Sequence, residues 1–461
     1  MTLDTAATGS ISALTSDLDL SITQPQTVPE HALRAADFSD VDFTAATNFR
    51  SGPPHAAFDA VRTGGGLVWH DEAPPEQNTL TAQSGAETPP SPGFWMATSH
   101  DVVSEVSKDP VAYSSYLGGI SVVNMDEMML AGMRLMLLFM DPPDQTRLRR
   151  LLVPSFTPRS IDLMTEAVAA NTRELADAVA VAGAGGATVD LVETVAKELP
   201  TRVLAVLLGM PEEDWHLIPE WSDALISSEA SDPTEENLMA AALTLGAVHD
   251  YGARIFEERR ANPRNDVVSG LATAEIDGER LTVDEFCMFW LLLIVAGNET
   301  TRNSLSGGII ALLKRGLWKG LATDVAAGTR SIDQTVTDEL IRFVSPVMCF
   351  RRTATRDVIL GGQHVRAGDK VVLWYGAANR DPQVFIDPHE LDLDRDPNPH
   401  LGFGIGPHFC LGTRLARLQI STMLTELLVR FPDLQLDGDP TYVGSTFING
   451  VERLPVKVGT R

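Results

Sequence analysis

A glycine-rich turn that holds one cysteine and leads directly into a helix constrains this chain more than any other feature. The turn spans Phe403–Gly412 and reads FGIGPHFCLG. Apolar residues then recur at helical spacing, which predicts a helix with one buried face. These residues are Ala416, Ile420, Met423, Leu424, Leu427 and Leu428. Cys410 is therefore predicted to lie where a tight loop enters a helix.

The start of a helix favours a negatively charged sulfur. The helix dipole and the free backbone N–H groups there both stabilise a thiolate over a thiol. Gly404, Gly406 and Gly412 can adopt backbone angles that are closed to other residues, and they let a flat ligand lie against the loop. A single thiolate presented in this way suits axial ligation of a haem iron.

Two other interpretations of this cysteine stay open. The first is a buried, unreactive cysteine that follows a glycine-rich turn. The second is a zinc site formed by His400, His408 and Cys410. Zinc is the weaker alternative, because no paired Cys-x-x-Cys motif or second histidine cluster completes a tetrahedral set of ligands.

Charge and cysteine content exclude some classes of protein. The 461 residues carry a formal net charge of −26, which argues against wholesale nucleic-acid binding because phosphate contacts need a basic surface. The other two cysteines, Cys287 and Cys349, lie in apolar surroundings, so no disulfide framework is predicted. The sequence shows no signal peptide and no apolar run of about 20 residues. We therefore expect no membrane span and a cytoplasmic location.

The run Phe286–Ala296 is apolar on all sides, which predicts a helix in the protein interior. Glu299 and Thr300 follow it closely, and an ionisable group beside a buried run needs a reason because burying a charge is costly. One interpretation places Glu299 at the edge of the interior, where it meets solvent or Arg302. The other is a carboxyl–hydroxyl pair that relays protons to a reactive oxygen species.

Basic side chains cluster in a predicted helix that follows Pro143. They are Arg147, Arg149 and Arg150. Further along the chain, Glu339 and Arg342 share one face of a short predicted helix, which alone is a common surface ion pair. Arg352 lies in a predicted strand region.

The N-terminal part of the chain is less constrained. Residues 1–36 have little hydrophobic period and are predicted to form a flexible tail. Leu67–Trp69 and Phe94–Met96 are predicted to be two strands of one hairpin. Residues 71–92 between them are polar and rich in proline, which predicts an exposed insertion.

These motifs resemble those of the cytochrome P450 family. The turn resembles its haem-binding loop, the Ala296–Thr301 segment (AGNETT) resembles its acid–alcohol motif, and Glu339 with Arg342 resembles its Glu-x-x-Arg pair. The resemblance implies that Cys410 is the fifth iron ligand. It implies further haem contacts from Phe403, Gly404, Ala296 and Gly297, and propionate contacts from His408, Arg149 and Arg352.

The resemblance also assigns roles to the remaining motif residues. Thr300 would hydrogen-bond the reactive oxygen species, and Glu299 would connect it to bulk protons. Glu339 and Arg342 would have a structural role, tying their helix to a later meander loop. The implied fold is mainly helical, a triangular prism with a small β lobe, formed by one domain over residues 37–461.

The implied activity is that of a haem-thiolate monooxygenase with haem b as cofactor and O2 as co-substrate. It would insert one oxygen atom into an apolar small molecule, with electrons from a ferredoxin and its reductase. Segments such as Val295–Asn303 and Asp396–Leu401 resemble soluble bacterial members that oxidise sterols, branched fatty acids or terpenoids. Alternatives are a tailoring oxidase of a secondary-metabolite pathway, a peroxygenase, and a haem protein that binds ligands without turnover.

Apolar residues near these motifs are candidates for the substrate pocket, although core packing explains any single methionine equally well. The candidates are Met125, Met128, Met129, Leu292, Val347, Met348, Phe447 and Ile448. Basic residues are expected to make the cysteine side of the protein locally positive for an electron donor. They are Arg147, Arg150, Arg159, Arg414 and Arg417.

Overall fold

Helices form most of the protein, and small β-sheets flank them. The structure is a computed structural model that describes residues 19–25, 27–72, 91–125, 127–227, 235–264, 266–276 and 278–459. Within these residues the α-helices are α1 (His55–Arg62), α2 (His100–Lys108), α3 (Glu127–Met133), α4 (Asp144–Leu152), α5 (Pro158–Asp162), α6 (Thr165–Ala182), α7 (Glu198–Leu207), α8 (Leu217–Ser227), α9 (Glu235–Ala261), α10 (Val267–Thr273), α11 (Val283–Lys314), α12 (Trp318–Ala326), α13 (Gln334–Val344), α14 (Tyr375–Ala378) and α15 (Thr413–Arg430). The predicted fold class, mainly helical with a small β lobe, is confirmed.

The strands are short and gather in several small sheets. They are β1 (Leu67–Asp71), β2 (Gly93–Ala97), β3 (Tyr113–Ser114), β4 (Val189–Asp190), β5 (Glu275–Ile276), β6 (Glu279–Arg280), β7 (Cys349–Ala354), β8 (Val358–Leu360), β9 (Gln363–Val365), β10 (Lys370–Trp374), β11 (Gln435–Leu436), β12 (Thr441–Tyr442), β13 (Val451–Arg453) and β14 (Pro455–Lys457). The largest sheet has five strands in the order β1-β2-β10-β7-β3.

Helix α11 organises the helical part of the molecule. It spans 32 residues, about 48 Å at 1.5 Å per residue. It begins at a capping box, in which the Thr282 hydroxyl accepts from the Glu285 N–H at 3.2 Å and the Glu285 carboxylate accepts from the Thr282 N–H at 2.9 Å. Its apolar side chains lie in the main hydrophobic core, and it packs against α7, α9, α13 and α15. The predicted interior helix is therefore confirmed.

The five-stranded sheet separates two apolar clusters. β1 and β2 pair antiparallel with Leu67 opposite Ala97, which confirms the predicted hairpin. β10 joins β2 in parallel and β7 antiparallel, with Val371 opposite Arg352. Because side chains alternate along a strand, Leu67 and Trp69 point to one face of the sheet and pack in one cluster. Val68 points to the other face and packs with Trp374 in the second cluster.

The N-terminal segment differs from the expectation of a flexible tail. The Leu33 carbonyl accepts from the Trp69 N–H at 2.7 Å, and the Thr27 carbonyl accepts from Arg366 at 2.8 Å. Ala35 is buried. The prediction is therefore wrong for residues 27–36, because backbone pairing with β1 anchors them; residues 1–18 lie outside the described residues.

The predicted insertion begins and ends at the outer edge of the large sheet. Residues 73–90 lie outside the described residues. Just before them, the Glu72 N–H donates to the Pro92 carbonyl at 3.4 Å. The Glu72 carboxylate pairs at 2.5 Å with Lys370, which is fully buried. These two contacts fix the base of the segment.

A buried ion-pair network joins α13 to the loop that follows α14. Arg342 donates to both carboxylate oxygens of Glu339 at 2.7 and 2.8 Å, and both side chains are completely buried. Arg342 also donates to the Asn379 and Pro388 carbonyls at 2.7 and 2.9 Å. Arg395 binds the same carboxylate at 3.0 Å. One carboxylate thus holds two guanidinium groups in the protein interior.

Replacement of Glu339 by Gln is expected to destabilise the fold by about 3 to 5 kcal/mol, because it leaves buried cations without their counter-charge. Chemical denaturation of purified protein measures this loss. The control is Arg173→Gln, which breaks an exposed 3.1 Å pair with Glu166 and should leave the denaturation midpoint nearly unchanged. Equal midpoints for Glu339→Gln and the parent would contradict a structural role for the network.

Candidate functional site

The backbone of the Phe403–Gly412 turn fixes the position of the cysteine. Gly404 and Gly406 adopt φ angles of 68° and 76°, in the left-handed region that favours glycine. A Cβ atom on Gly406 would collide with the carbonyl oxygen of Ser107 in α2. The Cys410 N–H donates to the Phe403 carbonyl at 2.9 Å and closes the turn. Cys410 therefore stands at the entrance to α15, as predicted from its position before the helical pattern.

The pKa of the Cys410 thiol is raised, whereas the position at the start of a helix predicted a stabilised thiolate. Desolvation by the surrounding protein raises the pKa of the Cys410 thiol, while the Gly412 N–H, the Thr413 hydroxyl and the charges of Arg149 and Arg417 lower it. The helix-entrance contacts that we predicted are present, and the residue itself is exposed to solvent. A cation bound at the sulfur would reverse this balance, because metal coordination deprotonates a thiol.

Three nitrogen donors gather beside the turn. Arg149 donates to the Phe409 carbonyl at 2.6 Å. The buried Arg352 donates to the Arg351 carbonyl at 2.7 Å, and His408 lies 3.4 Å from the Ser115 hydroxyl. Burial, together with the charges of Arg352 and Arg149, lowers the pKa of His408 to about 3. The turn thus adjoins two cations and a neutral imidazole, a set that suits anionic carboxylates.

The neighbouring side chains of this region are already engaged. Gln145 donates to the Pro407 carbonyl at 2.8 Å, so it supports the turn. The Arg417 guanidinium lies over the ring of Phe403, with its Cζ atom 5.0 Å from the ring centroid. His400 accepts from the Gly402 N–H at 3.2 Å. No group of three or more metal-binding side chains forms among the described residues, so the zinc alternative finds no support.

One face in the middle of α11 is open, although the helix is buried on either side of it. Leu293, Ala296, Gly297 and Thr300 are partly exposed, whereas the residues before and after them are mostly buried. These residues recur at three- and four-residue spacing and so share a face. The Thr300 hydroxyl donates to the Ala296 carbonyl at 2.7 Å. A Cβ atom on Gly297 would meet only Leu204, at 3.7 Å, which leaves this face accessible to a ligand.

Glu299 faces away from this opening and is only 6% exposed. Its carboxylate accepts from Arg302 at 3.2 Å and from the Ser222 hydroxyl at 3.5 Å. Burial raises the pKa of Glu299, Arg302 lowers it, and Asp223 raises it. The interpretation in which Glu299 sits at a solvent-exposed edge is therefore wrong, while its contact with Arg302 is present.

The structure brings some of the predicted pocket residues together. Val347 and Ile448 form an antiparallel bridge, and the Phe447 ring lies 5.6 Å from that of Phe350. Phe350 was missed at the sequence level. Because side chains two apart on a strand share a face, its spacing from Arg352 could have identified it. Leu292 is nearly buried beside the open face of α11.

Other predicted pocket residues lie elsewhere. Met348 is 2% exposed and packs with Phe49 and Trp374. Its assignment to the pocket is wrong, because Val347 and Phe350 pack against the other cluster, which contains Trp69. Met128 and Met129 are 84% and 56% exposed, and the structure does not place them in an apolar pocket. Met125 is partly buried against the main core.

No helix in the described part of the chain combines the length and apolarity needed to cross a membrane.

Comparison with known proteins supports the resemblance found in the sequence. The Cytochrome P450 family model matches residues 332–441. The steroid C26-monooxygenase of Mycolicibacterium smegmatis is 37% identical over 369 residues, 79% of this chain and 83% of that protein. The methyl-branched lipid omega-hydroxylase of Mycobacterium bovis is 36% identical over 371 residues, 79% of this chain and 84% of that protein.

A solved structure shares the fold over nearly the whole chain. Mycobacterium marinum cytochrome P450 CYP268A2, in complex with pseudoionone, has a TM-score of 0.80 and 34% sequence identity to this chain. The match covers 94% of this chain and 100% of that one. On the identity and coverage of these relatives, the chain belongs to the cytochrome P450 family and is a monooxygenase with haem b as cofactor and O2 as co-substrate.

Proposed function

We propose that this protein inserts one oxygen atom of O2 into an apolar molecule of the sterol or branched-lipid type. The observation that carries the proposal is that α11, which has the open face, packs against α15, the helix that the Cys410 turn leads into. The names of the steroid and branched-lipid relatives support this substrate class. Fatty acids and terpenoids remain related alternatives with the same apolar character.

The side chains at the turn fit the implied haem. Cys410 would be the iron ligand, and Arg149, Arg352 and His408 would hold the two propionates. The donor set supports this fit, because the buried guanidinium of Arg352, the partly exposed guanidinium of Arg149 and a neutral imidazole are completed by anionic carboxylates. At Gly404 a Cβ atom would meet nothing nearer than the His408 carbonyl of the same turn, 3.8 Å away, which leaves room for a flat ring. When bound, the haem supplies the activation of O2.

Thr300 and Glu299 would deliver protons to the site from α11. Thr300 lies on the open face, where its hydroxyl can turn from the Ala296 carbonyl to donate toward the site. Glu299 lies next to it in the chain, and its raised pKa lets the carboxyl hold a proton closer to neutral pH than an exposed glutamate does. A proton donor whose pKa approaches the working pH is the more effective general acid. Ala296 and Gly297 would leave space for O2 and substrate.

The substrate would be recognised by apolar contact. Val347, Phe350, Phe447 and Ile448 form a partly exposed apolar wall, and Leu293 contributes from α11. Each buried methylene group of a ligand contributes about 0.8 kcal/mol. Such a wall favours a large hydrocarbon skeleton and orients it by shape.

A ferredoxin would supply the electrons on the cysteine side. The expected basic surface there is partly neutralised, since Arg414 pairs with Asp162 at 2.9 Å and Arg417 with Asp338 at 2.6 Å. Phe409 is exposed beside them. We therefore expect apolar contacts to share the docking with charge complementarity, which mainly speeds the encounter.

Replacement of Cys410 by Ala is expected to abolish the red-shifted Soret band of the ferrous–CO complex, because that band requires a thiolate ligand. Absorption spectroscopy of the reduced protein under CO tests this. Cys287→Ala removes a buried cysteine that lies in α11 and should keep the band. A normal band in Cys410→Ala would refute the ligand assignment.

Thr300→Ala is expected to retain haem and substrate but to lower product formation by about tenfold or more, since proton delivery is lost. The ratio of product to NADH consumed should fall while peroxide rises. The matched variant Ser304→Ala removes a hydroxyl that bonds back to the Thr300 carbonyl and should keep the coupling ratio. Unchanged coupling in Thr300→Ala would count against the relay.

Phe447→Ala is expected to weaken sterol binding about tenfold, equivalent to about 1.4 kcal/mol of lost apolar contact. Difference spectra recorded across sterols, branched fatty acids and terpenoids measure both the preference and the loss. Met128→Ala, at an exposed position, should bind like the parent. Equal affinity in Phe447→Ala would remove this residue from the pocket.

Product from peroxide alone, at the rate of the complete electron chain, would favour the peroxygenase alternative.

A further inference from the structure

A chain of charged side chains leads from Glu299 to the protein surface. Glu299 contacts Arg302 at 3.2 Å, and Arg302 lies 3.8 Å from Asp223. Asp223 then pairs with Lys197 at 2.7 Å. The side chain of Asp223 is 48% exposed, so the chain connects the buried carboxyl to solvent.

Arg302 is shared between two carboxylates that come from different helices. Glu299 lies one turn before it on α11, whereas Asp223 lies on α8. The guanidinium gives each carboxylate one nitrogen, Nη1, rather than a two-pronged contact. Its Nε atom is buried and has no hydrogen-bond partner among the residues that the structure describes. Arg302 is thus incompletely paired, which leaves it able to strengthen its contact with either carboxylate.

This sharing affects whether Glu299 can carry a proton. A bidentate arginine contact is the strongest common stabiliser of an ionised carboxylate, and an ionised Glu299 has no proton to pass on. The observed single contact stabilises the ionised form less. The negative charge of Asp223 opposes ionisation of Glu299 further, and burial acts in the same direction.

We propose that Asp223 is a positioning residue for proton delivery, which holds Arg302 back from full pairing with Glu299. This inference rests on the proposed function of Glu299 as the proton-carrying group. Asp223 would act through Arg302 and not by contact with substrate or cofactor. Lys197 tunes Asp223 by partly neutralising its charge.

The groups that face Glu299 can be assigned element by element. Arg302 and Asn303 lie on its own helix, and Ser222 and Asp223 come from α8. Lys197 precedes α7 and acts through Asp223. Lys197 also lies 3.9 Å from Glu193. Removal of Asp223 should lower the pKa of Glu299, and removal of Lys197 should raise it.

These opposite signs define the test. The holoenzyme is prepared with Asp223→Asn, Lys197→Gln and, as a control of equal charge change, Asp250→Asn, an exposed position on α9. Infrared spectra are titrated with pH, and the carboxylic C=O band that disappears in Glu299→Gln identifies the group. A protonated carboxyl is present below its pKa and is lost as the pH rises through it.

The band should disappear at lower pH in Asp223→Asn, at higher pH in Lys197→Gln, and at the parent pH in Asp250→Asn. Product per NADH at alkaline pH should fall several-fold in Asp223→Asn with substrate affinity unchanged. Unmoved midpoints, or shifts of the same sign in both variants, would overturn the role of Asp223 even if Glu299→Gln is impaired. Full coupling in Glu299→Gln would instead overturn the relay itself.

Discussion

The backbone hydrogen bond between Cys410 and Phe403 closes the turn on which the site depends. The same turn carries His408, touches α2 through Gly406, and leads into α15. One short segment therefore sets the positions of the sulfur, the His408 imidazole and the start of a helix that packs against α11. Any change in the turn would move these parts together, so Gly404 and Gly406 are constrained by backbone geometry.

The net charge of the chain is negative, but several of its positive charges are buried. The chain is strongly acidic as a whole, yet Arg342 and Arg352 are buried near the site. Buried guanidinium groups are stable only with anionic or carbonyl partners. Glu339 provides such a partner for Arg342, and the Arg351 carbonyl provides one for Arg352. The interior thus holds guanidinium groups beside carboxylate and carbonyl partners, although the chain as a whole is acidic.

Sequence patterns predicted those parts of the structure that depend on local chemistry. Helical periodicity identified α15, a run of apolar residues identified α11, and strand patterns identified the β1–β2 hairpin. The same patterns could not separate Met348 from Val347, since both lie just before β7 and only tertiary packing decides which apolar cluster each side chain joins. Anchoring of the segment near Leu33 depends on pairing with Trp69, which is remote in sequence.

The contacts around Glu299 likewise could not be predicted from local sequence patterns. Motif resemblance pointed to Glu299 and Thr300, but nothing local links Glu299 to Asp223, which lies on another helix. Proximity of this kind arises from helix packing, so charge patterns along one helix do not reveal it. Phe350, in contrast, follows from Arg352 by simple alternation and was within reach of sequence reasoning.

The base of the segment between β1 and β2 has a consequence for protein engineering. Its two ends are joined by a backbone hydrogen bond, and the buried Lys370–Glu72 pair secures them to the sheet. Loop-closure entropy grows slowly with length, by about 0.6 kcal/mol for each doubling. Since these contacts involve only residues outside the connecting segment, a longer insertion there, such as an affinity tag or a fused electron-transfer module, is expected to cost little in loop-closure entropy.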